Sequence, residues 1–220
     1  MRRILLLVVA LTLAVGLSAA SATADQGARS WRVTVENLTP AGSQPLSPPL
    51  FVVHGKRVDV WSVGEIANHG VAAIAEDANN TVLESALPSL AGVRDVFTGT
   101  GGPIPSGESR SYVVEASGAR DRLTLLTMLV NTNDAFTGLD SLQFRNQGTM
   151  VLLMAYDAGS ERNNELATHI PGPCCNNPFV RDPEGALIGP HAGITGVGDL
   201  DPAVYNWTGP AVKITVERIP

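Results

Sequence analysis

The chain has 220 residues, 44% of them hydrophobic, 16% charged and 5% aromatic, with a formal net charge of −6. That is enough apolar side chain for one folded domain, two at most, and it excludes disorder as the main state. General nucleic-acid binding is excluded as well, because counterion release needs clustered cations, and Lys56 and Lys213 are the only lysines.

The chain opens on Met1-Arg2-Arg3, followed by an apolar run over 4–17 and the small residues Ala22-Thr23-Ala24. This is the pattern of a signal peptide over residues 1–24; about fourteen apolar residues fall short of the roughly twenty that span a bilayer. Cleavage after Ala24 would leave a domain over 25–220 with a formal charge of −8. No second long apolar stretch follows. The expected setting is secreted, periplasmic or cell-envelope, with no membrane span after cleavage.

Trp31 to Glu36 alternates apolar with polar residues, as does 211–217 near the far end, the period of a half-buried strand. Between them, short β-branched or apolar runs at 93–97, 109–116, 122–130, 141–144 and 149–156 are separated by Gly- and Pro-rich turns. Repeated short strands of this kind predict an antiparallel β-sandwich. Two stretches, 64–76 and 81–87, are apolar without alternation and read as short helices. Thr81 and Glu84 have the spacing of a capping box, and Asn79-Asn80 supplies the break. These helices are expected to cover an open end or edge of the sandwich. Residues 157–209 lack periodicity and are rich in Gly, Pro, Asn and Asp; a connection this long usually carries function or is disordered.

The common enzyme motifs are missing: there is no GxSxG, HExxH, P-loop or GxGxxG. A hydrolase built on the long loop would use His169 or His191 as base, oriented by Asp182, Asp199 or Asp201. The adjacent Cys174 and Cys175 leave three fates open: a bond between neighbours, buried thiols, or a cross-link between chains. No CxxC zinc pair exists.

Carboxylates carry more information. Asn131-Thr132-Asn133-Asp134 follows one apolar strand, and Tyr156-Asp157-Ala158-Gly159-Ser160-Glu161 follows another. If the strands over 122–130 and 149–156 run in the same direction, with 141–144 returning between them, Asp134 and Asp157 emerge at one end of the sandwich. Calcium takes six to eight oxygens from such loops; the competing reading is a solvated turn, since Asp and Asn are also turn formers.

Three runs together, Glu36-Asn37-Leu38-Thr39-Pro40 with Gln44-Pro45-Leu46-Ser47-Pro48-Pro49, then 133–142, then Tyr156 to Glu161, resemble the spondin N-terminal domain. This module is shared by F-spondin and mindin and found alone in exported bacterial proteins. The similarity runs from about Trp31 to Ile219. It implies a C2-like antiparallel β-sandwich holding one Ca2+ through Asp134, Asp157 and Glu161, with Glu115 as a fourth ligand. Ala135 stands where the animal proteins carry Trp, and Glu161 where they carry Asp. The implied function is a non-enzymatic adhesion or recognition module, its calcium ordering the end loops toward a protein or glycan ligand at the cell surface. The alternative is a structural envelope component.

Overall fold

The computed structural model describes residues 27–175 and 180–220. The signal peptide expected over 1–24 lies outside the described residues.

Strands β1 (Arg29–Asn37) and β10 (Val212–Arg218) pair antiparallel through Val33 and Val216, so the two alternating ends of the chain lie side by side. With β4 (Ser109–Ala116) and β7 (Thr149–Leu153) they form a four-stranded sheet in the order β4-β1-β10-β7. The second sheet has six strands, β3-β2-β5-β6-β8-β9. Its members are β2 (Leu50–Gly55), β3 (Val93–Thr98), β5 (Asp121–Met128), β6 (Ala135–Gln143), β8 (Ala155–Asp157) and the two-residue β9 (Gly189–Pro190). All pairings are antiparallel. The apolar alternate positions of both sheets meet between them, where Trp31, Phe51, Leu125 and Ile214 are fully buried. The architecture is the predicted β-sandwich.

The two helices sit elsewhere than expected. α1 (His69–Asp77) and α2 (Thr81–Ala86) cover the outer face of the six-stranded sheet, not an end or edge. There Val71, Ile74 and Leu83 close over Leu50, Val52, Leu126 and Phe136, and Trp61 meets Phe136 edge-on at 5.0 Å. Cover on both faces is why β2 and β5 are buried at nearly every position rather than at alternate ones.

α1 starts at His69, later than the apolar stretch suggested, because the Asn68 side chain caps it by accepting from Gly70 N and Val71 N. The capping box at Thr81 does not form. Instead Asn79 Oδ1 accepts from both Thr81 N and Thr81 Oγ1, at 3.2 and 2.6 Å.

Two strand boundaries also differ. The run 149–156 divides at the exposed Met154, with β7 in one sheet and β8 in the other. The returning strand is the whole of β6 from Ala135, not 141–144 alone. Its Asn/Asp-flanked start reads as loop, yet Ala135 and Phe136 are fully buried, Ala135 paired with Asp157 and Phe136 with both Met128 and Tyr156. Gly138 is required at its close approach to β5, where a Cβ would lie 2.2 Å from Leu125 O.

Candidate metal centre

β6 pairs with β5 on one side and with β8 on the other, so β5 and β8 point the same way and the residues just beyond them meet at one end of the sandwich. The β5–β6 turn is drawn tight by Leu129 N donating to Ala135 O at 2.9 Å, and by the Thr132 hydroxyl bonding to Leu129 O and Ala135 N. Asn131 ties it to the four-stranded side through Gln44 and Ser43. The turn delivers Asp134 with no exposed surface.

Ala135 stands opposite Asp157 in the ladder, and Ala158 N donates to Asp134 O at 3.2 Å. The chain then reverses at Gly159, whose φ of 67° and approach to Ala186 O, 2.5 Å from where a Cβ would sit, leave room for glycine alone. Asp157 Oδ1 accepts from Gly159 N, and its other oxygen from the Asn163 amide. Beyond the turn, Ser160 N, Ser160 Oγ and Glu161 N all donate to Asp134 Oδ2, at 2.8, 3.2 and 2.9 Å.

Asp134 Oδ1 is buried with no hydrogen-bond partner, and so are both carboxylate oxygens of Glu161, a residue only 1% exposed. Glu161 Oε1 lies 3.1 Å from Arg181 Nε, an ion-pair distance without hydrogen-bond alignment. Arg181 also pairs with Glu76 and Asp77 at the end of α1. Burial pushes Asp134 up to about 7, reinforced by the charge of Asp157 and opposed by the Ser160 and Glu161 donors. Burial pushes Glu161 up to about 8; Arg181 opposes this, and Glu76, Asp134 and Asp77 add to it. Buried anionic oxygens lacking donors are costly. A bound cation relieves that cost, and the donor set of Asp134, Asp157 and Glu161 has the all-oxygen chemistry of a hard divalent ion.

Of the four expected ligands, three are brought to this end and one is not. Glu115 is exposed on edge strand β4, paired opposite Ser30 at the start of β1, whose hydroxyl donates to its Oε1 at 2.6 Å. Asn37, at the other end of β1, bonds to Gln44 O and so marks the Asp134 end. Seven residues of strand, roughly 20 Å, separate Glu115 from the group. Among the described residues no three His, Cys, Asp or Glu side chains stand close enough to hold a metal ion as they are placed. Backbone carbonyls or water would therefore have to complete a coordination shell.

The long segment after β8 supports this end, and no histidine–acid hydrogen bond forms among its described residues. His191 Nδ1 accepts from Gly193 N, so Nε2 carries the proton and donates to Asn163 Oδ1 at 3.0 Å. Burial lowers the His191 pKa against the pull of Asp157 and Glu165. The His169 imidazole bonds through Nδ1 to the Thr168 hydroxyl. Asp199 accepts from Ala167 N, Asp201 caps α3 (Pro202–Tyr205), and Asp182 faces Arg162. Cys174 and Cys175 are bonded to each other, and Cys174 N donates to Asn131 Oδ1.

Two residues of consequence escaped the sequence reading. Glu165 is buried, and its carboxylate accepts from Thr195 N, Thr195 Oγ1, Gly196 N and Val197 N. Burial raises its pKa, but those donors outweigh burial and the net shift is downward. It staples the long segment together, and Glu165 N donates to Asn133 Oδ1 in the β5–β6 turn. No spacing marks it. Arg181 had a signal: it is the only Lys or Arg between Arg162 and Lys213.

Compared with known families, residues 39–166 match the Spondin_N family. None of the curated proteins matches the chain.

Proposed function

The chain belongs to the spondin N-terminal domain family, and on that premise we propose that it is an exported, non-enzymatic recognition module whose end loops are fixed by one calcium ion. The family is one of extracellular ligand-recognition or adhesion modules, and no helix among the described residues is long and apolar enough to cross a membrane.

The observation that carries the calcium reading is the set of three donor-less, buried carboxylate oxygens on Asp134 and Glu161. Asp134 and Glu161 are the ligands proposed first, and Asp157 adds a third carboxylate from the same turn. Calcium supplies charge neutralisation there. The chain's own residues supply the rest: Ser160 and Glu161 backbone donors hold one oxygen of Asp134, which leaves the other free to coordinate. Arg181 serves as the internal counter-ion of Glu161, and it competes with a metal for that carboxylate. With the turns at 131–134 and 157–161 locked together, the adjoining loops present one surface to a protein or glycan ligand at the cell surface.

Isothermal titration of the chelated protein with calcium tests this. The reading predicts one saturable site, lost in Asp134→Asn, weakened in Glu161→Gln and tightened in Arg181→Gln. Absence of any binding at millimolar calcium would remove it.

A further inference from the structure

The pole opposite the acidic one carries a group of cations that the calcium reading does not use. Three turns converge there: the one leaving β2 at Gly55, the one entering β3 at Gly92, and the short helical turn over 118–120 before β5. Gly55 N donates to Gly92 O at 2.8 Å and fastens the first two together. Gly92, at φ 100°, keeps its backbone against Val58, whose Cγ2 lies 3.2 Å from where a Cβ would sit. Between the turns lies a cleft of about 560 Å³ with Val58 and Ala91 on its wall and Lys56, Arg57, Arg120 and Arg122 around it.

These cations are not spent on the protein itself. Arg94 takes Asp121, Arg162 takes Asp182 and Glu184, Arg181 takes its three acids, and Lys213 takes Glu36. Among the described residues Lys56, Arg57, Arg120 and Arg122 have no acidic partner. Asp121, the acid next to them in sequence, is buried beneath and accepts from Ser117 N as well as from Arg94. Arg122 is held in place by donating from Nη1 to Ala119 O and Asp121 O, both at 2.9 Å, so its charge is pre-positioned at the cleft. Four unpaired cations around one cavity, in a chain of net charge −6, repel one another unless an anion joins them.

We propose that this cleft is a second binding site, for a tetrahedral oxyanion, a phosphate or sulfate group, carried on a small polar molecule such as a saccharide. Guanidinium forks match such oxyanions bidentately, with Lys56 as a point charge beside them. The volume lies within the range of small-molecule sites. About 25 Å of strand separates the cleft from the Asp134 turn, so occupancy of the cleft is independent of calcium.

The test is calorimetric titration of the full chain, in calcium-free buffer at 150 mM salt, with inorganic pyrophosphate, glucose 6-phosphate and a sulfated disaccharide. At least one of these is expected to bind saturably, and affinity should fall tenfold or more in Arg122→Gln and in Lys56→Gln. Arg32→Gln, which changes net charge equally but lies on the outer side of β1, should bind as the parent does. Binding of the two phosphates alone assigns a phosphate-bearing ligand, and binding of the disaccharide alone a sulfated one. Circular dichroism melting of each variant separates lost binding from lost fold. Binding that vanishes at 150 mM salt, or that Arg32→Gln weakens as much as Arg122→Gln does, overturns the site. Neither result bears on the calcium titration.

Discussion

Asp134 and Glu161 sit where an acid is least comfortable, and their titration gives that discomfort a sign. Unfolded, they titrate near 3.9 and 4.3; folded and metal-free, near 7 and 8. Between those limits the folded chain binds more protons than the unfolded one, so stability falls as pH rises from about 4 to about 8. Thermal melts in chelator are therefore expected to drop across that window. Asp134→Asn should flatten the drop and raise the chelated melting temperature at pH 8. Glu165 has the opposite sign. Its lowered pKa contributes stability that is present above about 4.3 and lost as pH falls through its folded value. Glu165→Ala removes an acceptor shared by three backbone N–H groups and a hydroxyl; a loss of about 3 kcal/mol is expected from denaturant melts. The contrast also shows what a sequence reveals. The common placement of Asp134, Asp157 and Glu161 was legible because they lie just after strands that a β-sandwich must bring to one end. Glu165 was not, because its partners at 195–197 are some thirty residues away along a segment with no period. Glu115 misled: the family resemblance alone put it beside Asp134, whereas β4 belongs to the other sheet and carries it toward the far pole.

Among the elements, the helical cover makes separate predictions. α1 ends on Ala78 in the left-handed region, at φ 55°, with Ala78 N and Asn79 N donating back to Ile74 O and Ala73 O. Glycine adopts that conformation without the Cβ penalty, so Ala78→Gly should raise stability by about 0.5–1 kcal/mol in a urea melt. Ile74 is fully buried between α1 and the outer face of the sheet, and Ile74→Ala should cost about 3 kcal/mol. Many of the elements were legible: alternation gave β1 and β10, and unalternating apolar runs gave α1 and α2, whereas β2, β9 and α3 were not expected, β2 because its short apolar run has no alternation and the others because they lie in the segment without period. The placement of α1 and α2 was not legible. An amphipathic helix advertises an apolar face without saying which sheet surface receives it. Only the double-sided burial of β2 and β5 hinted that the six-stranded sheet needed covering. β6 was under-read because Asn, Asp and Gly at its borders are turn formers in isolation, while pairing on both sides overrides that preference.

At the level of the whole molecule, acids gather at the end defined by Asp134 and unpaired cations at the end defined by Arg122, with a two-layer core between them. Net charge alone concealed this, since −6 describes a sum and not a distribution. Calcium at the Asp134 end would neutralise donor-less oxygens held by two turns and so fix the end surface those turns build. This role is tested most directly by scanning calorimetry at pH 8 in chelator and in calcium a hundredfold above its dissociation constant. Stabilisation of about 2.7 kcal/mol, a rise of about 5–10 °C for a domain of this size, is predicted for the parent chain and for Glu115→Gln, and none for Asp134→Asn. An identical melting temperature with and without calcium in the parent chain, or a rise that survives in Asp134→Asn, would contradict it.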